Sequence, residues 1–155
     1  MSQEHSLPGM DPLCARFFLH KFLDFITAKG GREGRVKSSD GVLDLKLAMP
    51  KPDQQPAATN PEQLFAAGYS ACFDGALNFI AQKKGMNIDS TVTANVSLLK
   101  DEKDNGYKIG VVLEVEIRGV TQEQAEELAH AAHEFCPYSK ATRGNIDVEI
   151  VAKAV

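Results

Sequence analysis

The stretch TNPEQLFAAGYSACFDGALNFIAQKKG, Thr59 to Gly85, decides how the rest of the chain is read. Pro61 suits the first helical position, where its missing N–H costs nothing, and Thr59 or Asn60 ahead of it can cap the helix. Glu62 adds negative charge to the first turn, where the helix dipole favours it. Nothing breaks the segment before Gly85, so the expected helix runs to about Lys84. Its residues are apolar or small nearly all round, the pattern of a central helix buried on most sides. From Leu64 to Ala81 it is apolar enough to raise a membrane reading, but Ser70, Asp74, Asn78 and the many small residues favour a buried helix, and no membrane association is expected.

Working outward from this helix, strand patterns surround it. Upstream, Leu43, Leu45, Leu47 and Met49 alternate with Asp44, Lys46 and Ala48, which predicts a half-buried strand after a turn built from Gly30, Gly31, Arg32, Gly34 and Arg35. Downstream, Val92, Ala94, Val96 and Leu98 alternate with polar residues, as do Tyr107, Ile109, Val111, Leu113, Val115 and Ile117 with theirs. The Asp104-Asn105-Gly106 turn joins the two runs into a hairpin. Thr121 and Gln124 form a capping box for a second helix with the apolar stripe Ala125, Leu128, Ala129, Ala132 and Phe135, ended by Pro137. A last strand runs through Ile146, Val148 and Ile150. Runs of strands with two inserted helices give an α+β fold. Residues 1–28 read as an N-terminal arm, with helical spacing over Phe17 to Ile26, and residues 29–155 as one domain.

Composition narrows the function. The 155 residues are 43% hydrophobic and 25% charged, with a formal net charge of −4, so no basic face for nucleic acid is expected. The three cysteines are too few and too widely spaced for a secreted disulfide scaffold, and none has the short paired spacing of a zinc site. A reducing, cytoplasmic setting follows. Arg16, His20, Lys21 and Asp24 interrupt the apolar run from Leu13 to Ile26 and argue against a signal peptide.

Two cysteines are candidates for chemistry. Cys72 sits mid-helix, where Gly68 and Ser70 leave room for another segment or a substrate. Cys136 closes the second helix on the stripe of Ala129 and Ala132. Cysteine is also an ordinary core residue, so position alone leaves inert packing open for both. A reactive thiol needs its pKa lowered from about 8.5, and Cys72 lies too far from the helix start for the dipole to do so. A cation must come from elsewhere. Arg32, between flexible glycines, is a candidate, although a solvated arginine in a polar hairpin turn is the plainer reading. Glu62 is ten residues from Cys72, roughly 15 Å away and about 280° out of phase along one helix. It can act only by holding an arginine that spans the gap or by reaching a second chain, and a first-turn acid is its plain alternative. Cys136-Pro137-Tyr138-Ser139 looks superficially like a glutaredoxin turn, but such a cysteine opens a helix, whereas this one ends one. His130 and His133 fall opposite the apolar stripe and read as solvated; no metal site is expected.

The segments Thr59-Asn60-Pro61-Glu62-Gln63-Leu64-Phe65-Ala66-Ala67-Gly68-Tyr69-Ser70-Ala71-Cys72-Phe73 and Cys136-Pro137-Tyr138-Ser139-Lys140-Ala141-Thr142-Arg143-Gly144-Asn145-Ile146 together resemble the organic hydroperoxide resistance (Ohr) proteins of the wider Ohr/OsmC family. With the Gly30 to Gly34 turn, the resemblance covers roughly Gly30 to Val151. It implies antiparallel sheets around a long central helix and an intertwined homodimer with sites at the subunit interface. It implies that Cys72 attacks an organic hydroperoxide, that Cys136 closes a disulfide with the resulting sulfenic acid, and that Arg32 and Glu62 organise the thiolate. No bound cofactor is implied; dihydrolipoyl groups, on a lipoylated protein or as dihydrolipoamide, are the external reductant. Phe65, Phe73 and Tyr138 are the expected apolar contacts of the substrate. One departure stands out: family members enter the glycine turn from a short alternating strand, whereas Leu13 to Ile26 is more helix-like. The alternatives are an OsmC-type peroxidase with another substrate and reductant, or a non-catalytic cysteine redox sensor.

Overall fold

The computed structural model describes residues 25–51 and 58–155. The chain forms two compact units, Met1–Thr59 and Asn60–Val155. The expected N-terminal arm, the apolar run from Leu13 and Cys14 lie almost wholly outside the described residues. Ile26, the last residue of the expected helix, instead opens a strand.

The first unit holds an antiparallel sheet of three short strands, β1 (Ile26–Lys29), β2 (Arg35–Ser38) and β3 (Asp44–Lys46), in that spatial order. The chain enters the glycine turn from a strand after all. Between β1 and β2, a 3-10 turn over Gly31–Glu33 carries Arg32, flanked by Gly30 at φ 84°. Gly34 could not be replaced without rebuilding the turn, because a Cβ there would lie 1.8 Å from the Lys29 carbonyl oxygen. The strand expected over Leu43 to Met49 is shorter: β3 stops at Lys46, and Leu47 continues only as a bridge to Thr59. An Arg35–Asp44 ion pair, 2.5 Å between Nε and Oδ1, ties β2 to β3.

The second unit is a two-layer α+β sandwich. Its sheet has the order β4 (Asp89–Lys100), β5 (Tyr107–Arg118), β6 (Val148–Ala154). The hairpin forms as expected, but its loop spans residues 101–106, with Lys100 paired to Tyr107. Asn105 takes a left-handed conformation, φ 60°, and the Asp104 carboxylate accepts from the Gly106 N–H. β6 pairs with β5 in parallel, so this sheet is mixed and not purely antiparallel as expected. The cause is topological: the chain between β5 and β6 crosses back through two helices, and a return by crossover delivers a parallel strand.

Alternation puts one face of this sheet inside. Val92, Ala94 and Val96 of β4 align with Val115, Leu113 and Val111 of β5, which align in turn with Ala152, Ile150 and Val148 of β6. All of them join the core cluster, while Glu114 and Glu116 point to solvent. Two helices cover this face, α1 (Pro61–Lys83) against β4 and α2 (Gln122–Phe135) against β6. Full burial of a side chain such as Leu113 contributes about 1.5–3 kcal/mol. The Thr121–Gln124 capping box is present in both directions. Phe135, expected on the buried stripe, is instead 45% exposed. Pro137 ends α2 but also opens a further helix, α3 (Pro137–Thr142).

α1 is long and apolar enough to cross a membrane, yet it spends one stripe on this core. That stripe is Tyr69, Phe73, Ala76, Leu77 and Ala81, and Ala67, Ala71, Gly75 and Phe79 on the remaining surface are exposed. Burial on nearly all sides, the expectation from its composition, is therefore not met within one chain. The helix start matches the sequence reading, with the Asn60 side chain accepting from the Gln63 N–H at 2.8 Å. Replacing Asn60 by alanine should lower stability by about 1 kcal/mol, read as a shift in the urea midpoint at constant slope.

Candidate active site

α1 and the α2–α3 junction bring the two candidate cysteines together. The Cys136 thiol donates toward the Cys72 sulfur, with the Sγ atoms 3.7 Å apart. Both thiols are reduced; Cys136 is fully buried and Cys72 half-buried. Cys136 is at once the last cap of α2 and the first cap of α3. Its N–H donates to the Ala132 carbonyl and its carbonyl accepts from the Lys140 N–H, so the backbone is held from both sides. The cysteine thus does open a helix as well as end one, because Pro137 starts a new helix with its fixed φ.

Small and aromatic residues on α1 make the junction fit. Gly68 lies under the Tyr138 ring: a Cβ there would sit 2.5 Å from the Tyr138 hydroxyl oxygen. Phe65, Tyr69 and Tyr138 pack as an aromatic trio with centroid separations of 5.6–6.1 Å. Phe65 is half-buried and Tyr138, whose backbone N–H faces the Cys72 sulfur, is 37% exposed, so both reach the surface. Phe73 does not: it is fully buried in the core, where it anchors α1. Ser70 turns its hydroxyl back to the Ala67 carbonyl.

A buried polar network, not foreseen in the sequence, lies beneath the trio. The Tyr69 hydroxyl is 3.0 Å from the Ser139 Oγ and 3.1 Å from the Thr142 Oγ1. Ser139 in turn meets the His133 Nδ1 at 2.9 Å. Thr142 donates back into α3, to the Tyr138 or the Ser139 carbonyl. His133 was expected on the solvated face; α3 folds back over it and half-buries it. The signal that could have revealed this network is the hydroxyl spacing Ser139 and Thr142, one helical turn apart, opposite a tyrosine one turn from Cys72.

Electrostatics of the second unit do not favour a thiolate. Burial pushes the Cys72 thiol above its usual range, the Tyr138 backbone N–H opposes this, and the Cys136 thiol adds to it. Arg32 and Glu62, the residues expected to supply and organise positive charge, are both half-buried. The first lies in the 3-10 turn of the first unit and the second in the opening turn of α1. Among the described residues, no cluster of three or more histidine, cysteine or acidic side chains could hold a metal.

His133 offers a test of the network. Burial lowers its pKa, the nearby Arg143 charge adds to that, and Glu134 opposes it. The unfolded chain therefore binds a proton at about pH 6.5 that the folded chain resists. Stability should be full above that value and fall as pH drops through it. In His133→Asn the melting temperature should lose this slope while keeping its acid denaturation at lower pH.

The chain matches the OsmC-like protein family over residues 52–151. It is 55% identical to the organic hydroperoxide resistance protein OhrB of Bacillus subtilis, over 83% of this chain and 95% of that protein. The crystal structure of that OhrB superposes with a TM-score of 0.81, covering 85% of this chain and 98% of the other. An organic hydroperoxide resistance protein of Vibrio cholerae, with captopril bound in one of its active sites, is 39% identical and superposes with a TM-score of 0.77 over 86% of this chain and 95% of the other. The chain belongs to the organic hydroperoxide resistance proteins of the OsmC-like family.

Proposed function

We propose that this protein is a thiol peroxidase that reduces organic hydroperoxides to alcohols, and the observation that carries the reading is the pair of sulfurs 3.7 Å apart at a half-open site. The Cys72 thiolate attacks the distal peroxide oxygen; the O–O bond breaks and an alkoxide leaves, to be protonated to the alcohol. Cys72 is now a sulfenic acid. The Cys136 thiol attacks that sulfur, the S–S bond forms, and water departs. This step protects Cys72 from a second peroxide, which would carry it to irreversible sulfinic acid. A disulfide needs the sulfurs at about 2.05 Å, so the closing movement is roughly 1.7 Å, within reach of side-chain rotation.

Arg32 supplies the charge that the second unit does not, and Glu62 fixes the guanidinium. Its rigid fork can contact the thiolate and the peroxide oxygen together while remaining charged. Phe65 and Tyr138 offer apolar area to an alkyl chain, which hydrogen peroxide cannot use. Dihydrolipoyl groups, free or on a lipoylated protein, return the disulfide to two thiols in the cytoplasm. The working form is a homodimer, a reading supported by the exposed apolar residues of α1, such as the 39%-exposed Phe79. The Vibrio cholerae relative, with more than one active site, supports it too.

Peroxide consumption coupled to lipoamide, its reductase and reduced nicotinamide tests the reaction. Continuous turnover with cumene hydroperoxide is expected, lost in Cys72→Ser. In Cys136→Ser a single oxidation should be followed by sulfinic acid on Cys72, seen as a mass gain of two oxygens. One oxidation per wild-type chain would point to a sensor instead, and equal efficiency with hydrogen peroxide would remove the alkyl preference. For charge, the thiolate is the active form and a cation lowers its pKa. Arg32→Ala should therefore move the rising limb of the pH–rate profile to higher pH and cut the rate at neutral pH by roughly 10²–10³. An unmoved limb would take Arg32 out of the site.

A further inference from the structure

Resting on the reading above, the geometry points to Tyr69 as a positioning residue for disulfide closure: its hydroxyl clamps α3 to α1 and so sets the distance between Cys136 and Cys72. Three observations build this assignment. First, α3 has only six residues, too few to hold a helix by itself, so its place comes from what it touches. Second, the Tyr69 hydroxyl meets two hydroxyls one turn apart on α3, those of Ser139 and Thr142, and all three residues are almost fully buried. A hydrogen bond shielded from water in this way resists competition by solvent. Third, Tyr69 stands three residues before Cys72, one turn away on nearly the same face of α1. The clamp and the attacking sulfur therefore share a rigid support, and the residue that carries the second sulfur, Cys136, caps the start of α3.

The rest of the network narrows the role further. Ser139 is held on its other side by the His133 Nδ1, so the clamp also links α3 to α2. Cys136 is the hinge between these two helices, and its thiol position follows from both. Thr142 keeps its contacts to backbone carbonyls if the tyrosine hydroxyl is removed, and Ser139 keeps His133. Tyr69→Phe therefore preserves shape and packing and removes only the tie.

Two measurements test this, and they separate it from the peroxidase reading. In glutathione redox buffers without peroxide, the equilibrium between the Cys72–Cys136 disulfide and the dithiol reports the effective concentration of one thiol at the other. Tyr69→Phe, which removes the hydroxyl's ties to Ser139 and Thr142, should lower it at least about fivefold, and Ser139→Ala with Thr142→Val, which also removes the His133 link, should lower it by as much or more. Ile117→Val, a core change away from the hydroxyls, should lower thermal stability without changing that equilibrium. With cumene hydroperoxide and no reductant, Tyr69→Phe should divert Cys72 to sulfinic acid at about fivefold lower peroxide. An unchanged glutathione equilibrium in Tyr69→Phe overturns the clamp, whatever the peroxide result. Failure of wild-type Cys72 to react with peroxide overturns the peroxidase reading while the glutathione equilibrium still decides the clamp.

Discussion

The close approach of α1 to the α2–α3 junction is the constraint on which the site depends. It needs a residue without a side chain at position 68, because the Tyr138 hydroxyl occupies the space a Cβ would take. It needs a tyrosine at position 69, whose ring joins the aromatic trio and whose hydroxyl is the buried partner of two others. With both in place, one sulfur mid-helix and another at a helix junction lie at non-bonded contact. Sixty-four residues separate them in sequence, so the sandwich of sheet and helices serves to bring these two short segments to one point.

The burial that would suit the proposed apolar peroxide works against the thiol. Burial raises the Cys72 pKa, and the proposed mechanism needs that group charged. An oily site of this kind calls for a permanent cation, since a residue able to lose its proton would yield under the same desolvation. That argues for arginine over lysine as the proposed activator, and for a carboxylate to hold it, because a charge left without a partner in such a setting is costly.

Much of the frame was legible in the sequence because local chemistry writes it plainly. Asn60 and Pro61 mark the start of α1, Thr121 and Gln124 the start of α2, and strict alternation marks β4 and β5. β2 escaped because Arg35-Val36-Lys37-Ser38 offers a single apolar residue to any periodicity test. The direction of β6 escaped because strand orientation is set by the crossover, which no alternation encodes. α3 was hidden by Pro137, a stop signal for one helix that serves as the first residue of the next. The cysteines, Arg32 and Glu62 gained roles only from the long motifs shared with the Ohr proteins. The Tyr69 network stayed invisible because its members become neighbours only when α3 folds back on α1.

The double anchorage of Cys136 carries a consequence for traffic through the site. Its peptide groups are committed to Ala132 on one side and Lys140 on the other, and the sulfur itself has no exposed surface. In the proposed cycle, a disulfide at this pair would form beside a backbone already held on both sides. Of the two residues only Cys72 is partly exposed, so on the proposed mechanism the oxidant and the molecule that restores the thiols would share one doorway.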